Sequence, residues 1–334
     1  MASNPRYLRG YDTLFTTNLY GFKPFDGTSA SDYTKMIVDD IYVLVNNVWR
    51  KVSATTLSAS GSLGTNYYIN VNSSGTPSIS TTKGGNGSTS STCIGGFHWG
   101  RIRKSTTAND VVTGGGVVPN SVWTNLFRPA CANPNAMVYI GNGLWGDIYL
   151  TRSNSNASSG IGGSVYDSSA YGSNPCTGTE NYNWYTFVEN LAKVGKRLPT
   201  YAEFVYAANG SPAGQDGNNT YAWSKNSNTA RTTCGAVQYA ISSLNICDLV
   251  GNVWKWLDDC AIRTDGNNPG WNWRDVLGSG KGKAYIYNDI QLIALLAGGY
   301  WIDGAGCGSR AVNTDDYPWI LNTSVGAWSV SNSI

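Results

Sequence analysis

The chain has 334 residues, of which 41% are hydrophobic, enough to fill one large core or two smaller ones. Only 13% are charged, while Gly contributes 40 residues and Ser, Thr and Asn are abundant; an average soluble domain is roughly 25% charged, so this composition suits a loop-rich β protein on an exterior surface. The net charge of +2 comes from 23 basic and 21 acidic residues spread along the chain, which leaves no basic run for nucleic acid or anionic lipid.

Residues 1–20, MASNPRYLRGYDTLFTTNLY, contain no continuous apolar stretch, so no signal peptide is expected. The longest apolar runs, Ile41–Val45 and Leu292–Ala297, are too short for membrane insertion. A surface-type composition without an export signal is reconciled by a protein built into a particle inside a cell, at a virion surface; an exported, extracellular protein is the alternative location. Ile41–Val45 alternates as a strand does, and Tyr67–Val71 runs into the turn signal Asn72-Ser73-Ser74-Gly75, so both predict hairpins. Thr81–Thr92 has no apolar residue and reads as a linker. The expected division is a β-rich N-terminal domain over 1–85 and a second domain over 86–334.

His98 follows Gly95-Gly96-Phe97 in what reads as the opening strand of the second domain. No nucleophile elbow is present to pair with it, so a structural histidine is expected. Gly141–Gly146 matches G-x-G-x-x-G, but the strand-like Asp147-Ile148-Tyr149-Leu150 follows where a helix should, so the match predicts a β turn. Asn181–Val194 carries apolar residues at helical spacing, with Gly195 as its stop. Thr200 stands three residues before Glu203, which predicts a capping box and a short helix over Tyr201–Ala208 ending near Gly210. Ser211–Asn245 is polar and rich in Gly and Asn and predicts a long surface insertion.

Trp254 and Trp256 share one strand face and are expected in the core. Asp258 and Asp259 offer oxygen ligands, yet calcium needs about six to eight, and a solvated strand end accounts for them. Gly278–Gly282 lacks the Ser or Thr that must follow the lysine of a phosphate loop, so it is expected to be an ordinary loop. The seven cysteines, at 93, 131, 176, 234, 247, 260 and 307, include no C-x-x-C pair and no Cys/His cluster, so no zinc site is expected; no metal ligand and no cofactor is assigned. Their odd count leaves at least one thiol unpaired, and spacing alone assigns no disulfide.

The closing segment, Gly298–Ile334, carries large rings and small polar residues between Gly298, Gly299, Gly304, Gly308 and Gly326. Rigid rings give contact area at low entropic cost and small polar residues give adaptable hydrogen bonds, the composition of a paratope. The expected exposed contact set is Tyr300, Ile302, Asp303, Ala305, Gly306, Thr314, Asp315, Asp316, Tyr317, Trp319 and Ile320, with Trp301 beneath it. No catalytic residue is assigned.

Three blocks in order, RLPTYAEFVYAANG (Arg197–Gly210), DLVGNVWKWLDD (Asp248–Asp259) and the GGYW to GSR stretch (Gly298–Arg310), resemble the formylglycine-generating-enzyme branch of the C-type lectin fold over roughly Cys93–Ile334. The implied class is α+β: a C-type-lectin-like domain preceded by a small β-rich one. Within that branch the closing segment is most similar to the variable proteins of diversity-generating retroelements, including phage receptor-binding proteins. That resemblance implies a viral or tail-fibre adhesin recognising a host-surface protein or another macromolecular ligand, with a homotrimer as one arrangement. Adenine-directed mutagenesis of Asn codons yields Tyr, Asp, Ile, Ala, Gly, Ser and Thr, largely the residues of the contact set. Trp319 fits no simple Asn codon.

The enzymes of the branch carry two catalytic cysteines in this block, at places held here by Asp303 and Gly308, with Cys307 one residue off. Two thiolates hold their soft copper ion, and a single displaced Cys does not replace the pair. Related iron sulfoxide synthases need several histidines, and this chain has one. The family's final Gly-x-Arg type motif appears as Gly326-Ala327-Trp328. The alternatives to a diversified adhesin are a divergent oxidoreductase of the formylglycine-generating type and an invariant structural virion protein.

Overall fold

The computed structural model describes residues 22–24, 32–85, 90–152, 171–263, 270–275, 278–286 and 291–334; residues 1–20 and part of the expected linker, 86–89, lie outside them. Strands β1 (Phe22–Pro24), β2 (Lys35–Val38), β3 (Ile41–Val45), β4 (Val48–Val52) and β5 (Thr55–Ser58) form a three-stranded sheet, β1-β2-β5, and the ribbon β3-β4. The ribbon turns at Asn46-Asn47, both with positive φ, as a two-residue hairpin with primed geometry requires. β6 (Thr65–Asn72) and β7 (Pro77–Ser80) form the second expected hairpin. There Asn72 Oδ1 accepts from the N–H groups of Ser74 (3.0 Å) and Thr76 (2.9 Å).

β8 (Ser91–Arg103) pairs with β6, with β9 (Val111–Val117) and with β10 (Trp123–Thr124). Ser91 and Thr92, expected in the linker, open this strand. Gly96 lets the sheet close, since a Cβ there would lie 2.4 Å from the Tyr67 carbonyl and 2.9 Å from the Trp123 ring. Met36, Val45, Val52 and Ile69 share one core with Phe97, Trp99, Trp123 and Trp145. Position 85/86 therefore falls between two strands that both pair with β6, and packing is continuous across it.

β11 (Met137–Gly141) and β12 (Leu144–Asp147) form a hairpin through Asn142 and Gly143, at φ 52° and 71°; the G-x-G-x-x-G match is this turn. Helix α1 (Trp184–Ala192) is capped by Asn183, whose Oδ1 accepts from the Thr186 N–H, and Gly195 ends the turn at φ 76°. It is shorter than Asn181–Val194 because Asn181 sits at φ 64°, closing a separate 3-10 turn over Gly178–Glu180. Helix α2 (Tyr201–Ala207) has the expected capping box between Thr200 and Glu203.

The larger sheet runs β14 (Asn272–Arg274), β15 (Ala284–Ile286), β17 (Val312–Asn313), β16 (Gln291–Ala297), β13 (Trp254–Arg263), β18 (Val325–Ala327). β19 (Val330–Asn332) returns to pair with β12. No described helix is long and apolar enough to cross a membrane.

The surface insertion expected over 211–245 needs correction in its second half. Cys234, Ala240, Ile241, Ser242 and Leu244 are buried. This irregular stretch is wetted by its own side chains rather than by solvent: Asn245 Oδ1 accepts from the Arg103 N–H and its Nδ2 donates to Asn120 Oδ1, each at 2.9 Å. Polar composition here satisfies buried backbone instead of marking exposure. No disulfide joins the seven cysteines; six of them are buried and Cys260 is exposed.

His98 is buried, its ring nitrogens 2.8 Å from Asn66 Oδ1 and 2.9 Å from the Tyr149 hydroxyl. Burial pushes its pKa down to about 3, so it stays neutral and structural. Trp256 is fully buried and Trp254 nearly so. Asp258 is exposed, whereas Asp259 Oδ2 accepts from the Tyr201 N–H at the start of α2. Trp328 is also fully buried, its Nε1 donating to the Asp147 carbonyl at 2.7 Å.

Candidate ligand-binding cleft

The closing segment leaves β16 through two glycines that only Gly tolerates. Gly298 and Gly299 sit at φ 89° and 84°, and Cβ atoms there would lie 2.1 Å from the Leu249 carbonyl and 2.3 Å from Cys307 Sγ. Beyond this close passage Tyr300 is half-buried, packed against the core cluster that holds Trp254 and Trp256. The next turn is self-tied, with the Tyr300 N–H donating to Asp303 Oδ2 (3.1 Å) and a 3-10 turn over Gly304–Gly306. The first half of the 211–245 stretch buttresses it. Asp216 Oδ1 accepts from the Ala305 N–H (2.8 Å), and Asn228 Nδ2 donates to the Trp301 carbonyl (3.0 Å).

β17 then pairs with β15 and β16 and delivers Thr314, Asp315 and Asp316 beside the first turn. Asn313 Oδ1 accepts from the Asp315 N–H (2.7 Å), the Asp316 carbonyl accepts from the Ala294 N–H (3.1 Å), and Asn322 Nδ2 donates to Asp316 Oδ2 (3.1 Å). Trp184, at the start of α1, donates its N–H to the Pro318 carbonyl at 3.1 Å. Both turns are therefore held by backbone and by residues outside the segment.

Four expected contact residues, Tyr300, Asp303, Asp315 and Asp316, line one cavity of about 190 Å³ with Trp254, Trp273, Tyr285, Asn313, Asn322 and Ser324. Its wall is a run of rings. Trp254 stacks on Tyr300 (centroids 6.5 Å apart) and on Trp273 (6.4 Å), and Trp273 meets Tyr285 at 4.7 Å. Burial pushes the carboxyls of Asp303 and Asp316 up to about 7 each, and the Tyr300 hydroxyl up to about 12.

The remaining expected residues do not line that cavity. Ile302 (40% exposed), Ala305 and the half-buried Gly306 belong to the first turn, and half-buried Thr314 precedes the acidic pair. Tyr317 and Trp319 form a separate ledge, their rings parallel within 2° at 5.2 Å, with Trp319 55% exposed. Ile320 is half-buried against the core cluster that includes Trp254 and Trp256. One member of the expected exposed set needs correction: Asp316 is 6% exposed and forms part of the cavity wall rather than the open surface.

Sequence reasoning missed Trp273 and Tyr285 and placed Trp254 wholly in the core. The aromatic run Trp271-Asn272-Trp273 was the available signal: alternating rings in a chain segment so polar mark a strand with an aromatic face.

The copper chemistry of the resembled enzymes does not fit these residues. Cys307 is buried, its Sγ donates to the Tyr300 carbonyl (3.2 Å), and burial holds the thiol well above its ordinary pKa. At Gly308 a Cβ would lie 2.3 Å from the Gly282 amide nitrogen, so the backbone leaves no room for a second thiol.

The chain is 28% identical over 298 residues to the tail fiber receptor-binding protein of Bordetella phage BPP-1, covering 85% of this chain and 76% of that protein. Among solved structures it resembles the M1 variant of Major Tropism Determinant (TM-score 0.71, 22% identity, 94% of this chain and 83% of that one). The I1 variant is similar (TM-score 0.69, 23% identity, 94% and 84%). The C-type-lectin-like fold expected from the motifs is thus found in this chain, and the structural match extends over its N-terminal strands as well. The model of the sulfatase-modifying factor enzyme 1-like domain matches residues 151–327, more than half of the chain, and the chain belongs to that family.

Proposed function

We propose that this protein is a receptor-binding adhesin of a viral tail fibre, displayed on the virion and recognising a host-surface protein through the turns of Gly298–Ile334 without chemistry. The observation that carries the reading is the division of labour in that segment. Its backbone is clamped by Gly298, Gly299, Asp216 and Asn228, while Ile302, Trp319 and the stacked Tyr317 stand available to a partner. Fixed loops bearing large rings lose little entropy on binding, and such rings dominate interface energetics. The similarity to a tail fiber receptor-binding protein supports the same reading. The lack of a second thiol position beside Cys307 weighs against the family's oxidative chemistry.

In this reading the segment is diversified by a retroelement, with substitutions falling on Tyr300, Ile302, Asp303, Asp315, Asp316 and Tyr317. A homotrimer would repeat the site and raise avidity. Two measurements test it. Tyr317→Ala and Trp319→Ala should each weaken binding to host cells by about tenfold or more at an unchanged melting temperature; undiminished binding by both variants would remove the ledge from the interface. Sequencing of the coding stretch across a natural population should find changes clustered at the named codons and an adenine-bearing near-copy close by. An invariant stretch would leave a fixed structural protein as the better account.

A further inference from the structure

The adhesin reading leaves unexplained why a binding surface should sink carboxylates between rings. Asp316 is 6% exposed, accepts a single side-chain hydrogen bond, from Asn322, and has no ion-pair partner among the described residues. Asn322 is itself committed, since its Oδ1 accepts from the N–H and hydroxyl of Ser324. Across the cavity Asp303 accepts from the Tyr300 N–H. The nearest cation behind it, Lys255, donates its Nζ to the Gly251 carbonyl instead. Asp316 is a buried carboxylate without a cation, and half-buried Asp303 has only Lys255 acting on it from behind; such groups are costly to ionise, and the penalty is relieved when an opposite charge enters.

The rest of the lining decides what that charge is. Trp254, Trp273, Tyr285 and Tyr300 present ring surface, which attracts organic cations through the ring quadrupole, and among the described residues no three carboxylate, His or Cys side chains are grouped so as to hold a metal ion. Anions are repelled by Asp303, Asp315 and Asp316. A cavity of about 190 Å³ admits one side-chain head and not a whole peptide.

We propose that this cavity is a subsite for one organic cation, the ammonium or guanidinium head of a basic side chain on the protein receptor, held between the ring wall and Asp303 and Asp316. The inference rests on the adhesin reading for its source of the cation and on the cavity alone for its chemistry.

Occupancy is pH-dependent in a direction the neighbours set. Asp303 faces Tyr300, Tyr285, Cys307 and Lys255, and Asp316 faces Asp315. As pH rises through 7 both buried carboxyls ionise while Lys255, held down to about 7 by its own burial, loses its charge. The site gains negative charge over that interval, and affinity for a cation rises with it.

The test uses the full chain with Nα-acetyl-arginine amide, Nα-acetyl-lysine amide, choline, the neutral Nα-acetyl-norleucine amide and methyl glucoside, read by calorimetry and tryptophan fluorescence. The arginine or lysine probe should bind, and its affinity should fall about tenfold from pH 8 to pH 6, the factor that one pH unit below a pKa near 7 imposes on an essential carboxylate. Asp316→Asn should lose about tenfold at pH 8 while melting no lower than wild type and should shrink the pH dependence to the part that Asp303 and Lys255 supply; the wild-type pH profile stands as evidence even where the variant misfolds. Binding of choline alone would assign the cavity to a lipid or small-molecule headgroup. Binding of the glucoside, of the norleucine probe, or of none of the five would overturn the proposal. Failure of all probes with host-cell binding intact refutes only the subsite; probe binding with no host-cell binding refutes only the adhesin reading.

Discussion

Asp303 and Asp316 couple stability to pH with a sign opposite to that of most carboxylates. Burial lifts both to about 7 from 3.8, so between about pH 4 and 7 the folded chain holds protons that the unfolded chain has released. Stability contributed by these groups therefore falls as pH rises through that window and is level above it. His98 works the other way, because its pKa drops to about 3 from 6.5 and its contribution is lost as pH falls below 6.5. A difference experiment separates them. The double variant Asp303→Asn, Asp316→Asn should gain on wild type between pH 5 and 7.5 in urea unfolding midpoints, with no further gain above. Parallel pH profiles for the two proteins would show that these carboxyls ionise freely. The acidic residues were visible in the sequence and their burial was not, because burial of Asp316 depends on Asn322 and Ala294, contacts set by the sheet register and not by any local pattern.

At the scale of elements, local signals translated well where one residue does one job. Thr200 and Glu203 form the box that their spacing announces. Thr200 Oγ1 accepts from the Glu203 N–H (3.3 Å), Glu203 Oε2 accepts from the Thr200 N–H (2.8 Å), and Arg197 adds a two-pronged contact to the same carboxylate (2.8 and 2.7 Å). Thr200→Ala should cost about 1 kcal/mol of unfolding free energy. Thr200→Ser should recover most of it, since serine keeps the acceptor; equal losses in both would place the cost in methyl packing instead of the cap. Local signals failed where polar residues act across long separations. Asn120, Asn245 and Asn252 support buried backbone through partners up to 142 residues away, so their composition imitates a surface loop. The aromatic wall was illegible for a related reason: Trp254 is core by periodicity and cavity wall by virtue of β14 and β15, whose position beside it follows from pairing with β17.

For the whole molecule the question is whether the N-terminal strands are an appendage or a wall of the same building. A linker-like composition at Thr81–Thr92 argues for an appendage, yet β6 pairs with β8 along most of its length, and Tyr67 stacks on Phe97 at 5.3 Å. Behind β8 the chain is closed by its own C-terminus, as β19 pairs with β12 and Trp145, buried in the shared core, donates to Ser333 (3.0 Å). The aromatic cavity thus stands on a frame whose first strand is more than 200 positions upstream. A fragment of residues 86–334 would lose the β6 partner of β8 and uncover Phe97, Trp99 and Trp123, a long apolar strand edge prone to association. The full chain should melt in one calorimetric transition with matching van't Hoff and calorimetric enthalpies, and the fragment should be aggregated or unfold without a cooperative transition. A fragment that folds alone, melts within a few degrees of the full chain and still binds would show that the frame divides at 85/86 and that the cleft needs only the second part of it.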